Sequence, residues 1–137
     1  MQSRCKISLR LRWEHDGLTP ELISELLRIQ PKRTWLKGEQ MQTPLGKPLM
    51  GIRADSYLIA PLGEVGVDQL ASEVDKHVTR FEWSFEFFDS FSKNGGAAEI
   101  FVAFFGEGAF GETFNSNVLR KLASLNLNLS LEIYGVK

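Results

Sequence analysis

Residues 5–13 alternate without a break: Cys5, Ile7, Leu9, Leu11 and Trp13 are apolar, and Lys6, Ser8, Arg10 and Arg12 between them are polar. Successive side chains of a strand point to opposite faces, so this spacing predicts a β-strand with one buried face. Glu14-His15-Asp16-Gly17 reads as the turn that follows. Thr19 is placed to cap a helix, with Pro20 at the first helical position and Glu21 near the positive end of the dipole. Leu22, Ile23, Leu26 and Leu27 supply its apolar stripe, and the helix must end before Pro31.

Residues 31–53 break this regularity with Pro31, Gly38, Pro44, Gly46, Pro48 and Gly51. They form a long polar excursion with room for a hairpin whose tip is Thr43-Pro44-Leu45-Gly46-Lys47. Irregular segments of this length are uncommon in small domains and tend to carry function. A second strand is expected over 55–61, entered at Tyr57, and an amphipathic helix over 67–80 with Val67, Leu70, Ala71, Val74 and Val78 on one side. Phe81 to Phe91 fits both periodicities. Asn94-Gly95-Gly96 reads as a helix C-cap, which favours helix with a break near 80–84. Residues 97–105 are apolar on both faces, the pattern of a central strand covered on both sides by the excursion or by another subunit. Asn115 or Ser116 then caps a helix bearing Val118, Leu119, Leu122 and Ala123. The last strand turns Leu127, Leu129, Leu131 and Ile133 inward and Asn128, Ser130, Glu132 and Tyr134 outward.

These elements predict a single α+β domain over residues 1–137, with a mixed four- to five-stranded sheet and helices mainly on one face. Their order is βαβ, helices, βαβ. Right-handed crossovers would set the two βαβ units side by side, as in ferredoxin-like sandwiches.

Composition narrows the function classes. The chain has 137 residues, 43% hydrophobic and 24% charged, enough for one proper core. No apolar run approaches the roughly 18–20 residues that cross a bilayer. Met1 to Lys6 leads straight into alternation with no signal-peptide core, and the one cysteine, Cys5, suits a reducing compartment, so a cytoplasmic location without membrane contact is expected. The net charge of −1 argues against a strongly basic nucleic-acid binder, yet it hides a split. Residues 1–53 hold 10 Lys/Arg and 5 Asp/Glu, and residues 54–137 hold 6 and 12.

Candidate chemistry is thin. Gly106-Glu-Gly-Ala-Phe-Gly111 is a literal dinucleotide-type glycine motif after an apolar strand. Glu112-Thr-Phe-Asn then delays the helix whose N-terminus would meet a pyrophosphate, and Glu107 and Glu112 would repel it. A bulged loop is the better reading, and no cofactor is expected. His15 lies in a turn, and His77 lies on the boundary of an amphipathic helix whose Glu73 and Asp75 point to other faces; neither joins the clustered ligands a metal needs, so no metal is expected either. Cys5 belongs on the inward face as core. No nucleophile motif is legible, and the balance points away from catalysis.

Two surface constellations remain. Arg4, Lys6, Arg10 and Arg12 share the outer face of the first strand; with Phe101 and Phe105 beside them they would resemble a single-stranded nucleic-acid platform. The competing reading pairs them with Glu99 and Glu132 across the sheet, which disfavours nucleic acid. In the excursion, Pro31-Lys-Arg-Thr-Trp-Leu-Lys-Gly-Glu39 groups Arg33, Trp35, Lys37 and Glu39 on an irregular segment. Trp and Arg dominate binding hot spots. The alternative role for Trp35 is an anchor whose indole N–H meets a carbonyl.

Leu18-Thr19-Pro20-Glu21 opening a helix, Pro31 with Trp35-x-Lys37-Gly38-Glu39, and a closing Leu131-Glu132-Ile133-Tyr134 resemble a bacterial family known as domain of unknown function 4279. The resemblance extends over nearly the whole chain and implies a small, mostly stand-alone cytoplasmic protein with no assigned catalytic residues. Members often carry a tryptophan entering the middle strand, where this chain has Tyr57. The sequence therefore points to a non-catalytic protein-binding module, of immunity-like type, acting on a protein partner or on a second copy of itself. The alternative is a small-molecule or anion binder, or an enzyme, that closes the 31–53 excursion as a lid, with Arg33, Lys37, Glu39 and Arg53 gripping the ligand.

Overall fold

Strand β1, Arg4–Trp13, forms the middle of the main sheet in the computed structural model, which describes residues 3–135. Met1 and Gln2, at the start of the segment read above for a targeting signal, lie outside the described residues. The alternation holds throughout β1. Cys5, Ile7, Leu9, Leu11 and Trp13 are at most 1% exposed, and the even-numbered residues lie on the opposite face.

Helix α1, Pro20–Leu27, starts where its cap demands: the Thr19 hydroxyl accepts the Leu22 N–H at 3.2 Å. Only Pro20, Ile23 and Leu27 are buried, while Leu22 and Leu26 of the expected stripe face solvent. Arg80 donates to the carbonyls of Leu27 and Arg28 at 3.1 and 3.0 Å, satisfying groups left free at this helix end.

The excursion is more ordered than its composition implies. It contains β2 (Arg33–Trp35), β3 (Gln40–Gln42) and β4 (Pro48–Ile52). The expected hairpin is β3–β4, its turn closed by Thr43 N–H to the Lys47 carbonyl and Gly46 N–H to the Thr43 carbonyl, both 2.8 Å. The reading of 31–39 as irregular is corrected by β2, which pairs antiparallel with β5, Ser56–Gly66. Pairing supplies the backbone partners that a three-residue strand cannot signal by periodicity.

A 3₁₀ turn, Val67–Gln69, leads into α2, Leu70–Phe81, and a second, Glu82–Ser84, separates α2 from α3, Phe85–Lys93. The ambiguous aromatic run is therefore helical with its break at 82–84. Phe81, Phe88 and Phe91 enter one core, and Trp83 on the connecting turn is 93% exposed. Strand β6 spans Ala97–Gly106, α4 spans Ser116–Ser124 and β7 spans Leu127–Gly135. Asn115 is the residue that caps α4, its side-chain oxygen accepting the Val118 N–H at 3.0 Å.

The domain is thus α+β with a mixed five-stranded sheet in the order β2-β5-β1-β6-β7, beside the two-stranded β3–β4 ladder. The second expected βαβ unit is present, since β6 and β7 are parallel neighbours joined by α4. The first is rearranged. Strand β5 runs antiparallel to both β1 and β2 and lies between them, so the parallel mate of β1 is β2. The crossover β1-α1-β2 interleaves with β5-α2-α3-β6, which steps over β1 in turn. Buried residues of all four helices join the odd-numbered side chains of β1 in one cluster, which leaves the other sheet face without a layer.

Two burial expectations change accordingly. Among the described residues, helices join the core on one face of β6 only, and on its other face Phe101 and Phe105 are half-buried beside Arg10, Lys6 and Tyr134 instead of under the excursion. On β7, Leu127 is buried, but Leu131 and Ile133 are 54% and 61% exposed, because this edge strand runs past the cover of the helices.

His77, expected on the boundary between the polar and apolar sides of its helix, is buried, and neither ring nitrogen has a hydrogen-bond partner among the described residues. The Glu73 carboxylate stands 3.4 Å from Nε2 without hydrogen-bond geometry. Burial pushes the imidazole below its ordinary value of 6.5; Lys76 and Arg80 push the same way, and Glu73 opposes them. The unfolded chain accepts a proton that the folded chain resists, so this residue makes folding less favourable as pH falls through the unfolded value. Between about pH 7.5 and about pH 5.5, the melting temperature of the wild type should fall further than that of His77→Gln. Equal falls would place the acid sensitivity elsewhere.

Candidate functional site

The uncovered sheet face is built by the period of two in β1. Arg4, Lys6, Ser8, Arg10 and Arg12 project from it, and register sets Phe105, Ala103, Phe101, Glu99 and Ala97 of β6 opposite them. Phe101 and Phe105 therefore do stand among the cations. The Arg10 guanidinium lies 4.0 Å over Phe101 and also pairs with Glu99, whose other oxygen accepts the Ser130 hydroxyl. The Lys6 ammonium lies 5.4 Å over Phe105, which stacks on Tyr134 at 5.0 Å. Arg4 meets Glu64 at 3.6 Å, and Arg12 reaches both oxygens of Asp55 at 3.1 Å.

Glu99 thus answers a cation across the sheet as expected, and Glu132 does not. It accepts the Tyr134 hydroxyl instead, and that hydrogen bond raises the phenol above its usual value. A cleft of about 190 Å³ between Arg10, Arg12, Tyr57 and Glu99 has walls whose charges are already matched.

The excursion side of this face differs. Trp35 of β2 sits opposite Tyr57 of β5, and their rings stack at 4.3 Å and 20°. Arg53 lies 3.7 Å over Trp35, and Arg33 and Arg12 approach the same aromatic pair at 5.0 and 4.9 Å from Trp35 and Tyr57 respectively. Backbone bonds place Arg53: its N–H donates to the Glu39 carbonyl at 2.7 Å, and its carbonyl accepts from Gly38 at 2.8 Å. Arg33 and Arg53 each donate one Nη2 to the Gln42 carbonyl at 3.1 Å.

Arg33, Trp35, Glu39, Gln42 and Arg53 wall a cup of about 260 Å³ between β2 and the β3–β4 hairpin, with Tyr57 behind Trp35. Neither Arg33 nor Arg53 forms an ion pair among the described residues. The Arg53 Nε–H and the Trp35 Nε1–H are both buried without an acceptor. The proposed anchoring of Trp35 through its indole N–H is thereby corrected: the ring is held by stacking. Comparison with protein-family models, with curated proteins and with solved structures finds no match.

Of the residues singled out from sequence, Arg33, Trp35, Glu39 and Arg53 meet in the cup. Lys37 does not. Its backbone N–H donates to the Ser56 hydroxyl and its ammonium to the Glu14 carbonyl, at 2.9 and 3.3 Å, which ties it to the turn after β1. Sequence reading missed Tyr57, Arg12 and Gln42 as parts of this constellation. Only the pairing of β2 with β5 brings Tyr57 under Trp35, and no local pattern announces that.

The glycine-rich loop is fastened elsewhere. Phe110 stacks on Phe104 at 3.7 Å, and the Glu112 carboxylate accepts the Ala71 N–H near the start of α2 at 3.2 Å. Helix α4 begins at Ser116, well past Gly111, so its N-terminus and the glycines are not adjacent in sequence. Cys5 is fully buried; burial, then Glu112, push its thiol up, against Arg4. No group of three or more His, Cys, Asp or Glu among the described residues is placed to hold a metal ion. No helix among them is long and apolar enough to cross a membrane.

Proposed function

We propose that the chain is a non-catalytic protein-binding module, immunity-like in capping another protein, and that it docks through the open sheet face at its β2 end. The observation that carries this reading is the Arg53–Trp35–Tyr57 stack with the Arg33 guanidinium beside it, neither arginine having a carboxylate partner among the described residues. Trp, Tyr and Arg are the residues that concentrate binding energy in protein interfaces. Unmatched guanidiniums on an exposed face call for an acidic partner surface, whose charge also speeds the encounter.

Nucleic acid fits the same face less well. A base stacks on a free ring face, whereas Phe101 is capped by Arg10 and Trp35 lies between Arg53 and Tyr57. The proposal extends to membership of the domain of unknown function 4279 family, to a cytoplasmic location, and to a ferredoxin-like order for β2-β5-β1-β6, with β7 as an added edge strand.

A tagged chain passed through lysate of its own source is expected to retain one acidic protein in stoichiometric amount at low salt. Trp35→Ala should lose that protein and Trp83→Ala, on the helix side, should keep it. Capture lost with Trp83→Ala and kept with Trp35→Ala would move the docking surface to the helices and overturn the proposal.

A further inference from the structure

We infer that the cup between β2 and the β3–β4 hairpin is a binding site for a single carboxylate. The inference deepens the proposed function, whose acidic partner would supply that carboxylate from an Asp or Glu side chain.

The argument starts from the donors. Arg33 and Arg53 each commit one Nη2 to the Gln42 carbonyl, which fixes both guanidiniums against the hairpin before any ligand arrives. Arg53 is further held flat over Trp35 at 3.7 Å. Neither guanidinium has a carboxylate partner among the described residues, and each uses a single Nη2 in its bond to Gln42. Two cations fixed side by side on the wall of one cup with their charge unmatched mark a place for an acceptor from outside.

Charge selects an anion. Lys32, Arg33 and Arg53 line the cup against Glu39 alone. Geometry and charge together select a carboxylate. A planar carboxylate matches the guanidinium fork with two parallel hydrogen bonds, and one negative charge suits a site in which Glu39 already offsets one cation. A phosphate dianion would bring a second negative charge into a cup that Glu39 already lines. The volume of about 260 Å³ accommodates an acidic side chain or a small dicarboxylate. The aromatic faces take no part in holding the ligand, because Tyr57 and Arg53 already lie against Trp35. Trp35 contributes a rigid wall, and its indole signal reports on what occupies the cup beside it.

The chain has three tryptophans, so the indole N–H region of a ¹⁵N–¹H spectrum holds three signals, assignable with Trp35→Phe. Titration with succinate, with a Glu-rich peptide and with inorganic phosphate at constant ionic strength should move the Trp35 signal saturably for the two carboxylate probes. The Trp13 and Trp83 signals should stay. Arg53→Gln should weaken the response about tenfold or more, as loss of a charge-assisted hydrogen bond demands. Arg33→Gln, which removes neither the Arg53 nor the Tyr57 contact with Trp35, should do the same in a protein whose spectrum is otherwise native.

The peptide binding more tightly than succinate would assign the carboxylate to a protein segment; the reverse would assign it to a free dicarboxylate. Phosphate binding more tightly than both, or no saturable movement with any probe, would overturn the inference. Its failure is separable from that of the proposed function. If Trp35→Ala abolishes partner capture while no carboxylate moves the indole, the docking surface stands and the carboxylate site falls. If succinate binds and Trp35→Ala leaves capture intact, the site stands and the docking surface falls.

Discussion

Trp13→Ala is expected to lower the unfolding free energy by about 3–5 kcal/mol, the range for truncating a large aromatic in a packed core. Trp13 ends the central strand at 1% exposure, with its ring edge-on to Phe91 at 6.0 Å and 65°. Its indole N–H donates to the Leu18 carbonyl at 3.0 Å, so it also ties the segment that enters α1 to the end of β1. Natural domains of this size hold about 5–15 kcal/mol in total, so the loss would be a large share of the whole. Urea unfolding of the two proteins measures it, and a loss under about 1 kcal/mol would show that the site collapses around the cavity. Trp13→Phe keeps most of the ring and leaves the Leu18 carbonyl unpaired, for which about 1–3 kcal/mol is expected.

Gly96→Ala is expected to cost about 1–3 kcal/mol through overpacking, although the residue lies in a turn. A Cβ at this position would stand 2.5, 2.6 and 2.7 Å from three carbons of the Phe91 ring. That ring cannot swing aside: Phe87 stacks on it at 5.4 Å, and Trp13 and His15 abut it at 6.0 and 5.9 Å. Its neighbour Gly95 offers a contrast. A Cβ there meets nothing within 4 Å, but its φ of 85° is strained for any L residue, for about 1–2 kcal/mol. The two mechanisms separate in a second background. Phe91→Leu removes the ring and should relieve much of the Gly96→Ala cost, while leaving that of Gly95→Ala unchanged. Equal costs in both backgrounds would refute the steric account.

Phe91 also shows why the α3–β6 connection was legible from residue type and its consequence was not. Asn94-Gly95-Gly96 announces a helix end, because glycine turns the chain where other residues resist. That Gly96 must be bare against an aromatic ring depends on a packing partner, which no local pattern contains. Trp35 repeats the lesson at the candidate site. Its residue type marked it as an anchor or a hot spot, and its neighbours Arg33 and Glu39 and the distant Arg53 were named for their charge. The partner that holds its ring, Tyr57, lies across a pairing of strands separated by the whole hairpin. Lys37 carries the same kind of charge and falls outside, since two residues beyond β2 the backbone has turned toward Ser56.

Elements whose signals are local are legible in the residues alone. The strict alternation of β1 requires one dry and one wet face, Thr19 and Asn115 start their helices with their own side chains, and the C-cap at Asn94-Gly95-Gly96 makes helix of an aromatic run that fits both periodicities, its break at 82–84 lying within the expected 80–84. The excess of cations over acids in the first half of the chain is legible in the same way. Which of those cations stay unmatched is set by long-range packing. Arg4, Arg10 and Arg12 find Glu64, Glu99 and Asp55 because β5 and β6, or the turn before β5, are drawn beside β1. Arg33 and Arg53 find only a carbonyl and an aromatic face, because β5 separates β2 from β1 and holds the excursion at the margin of the sheet. Charge is a property of residues, but its compensation depends on distances of a few ångströms between segments far apart in sequence, and those are set by strand order.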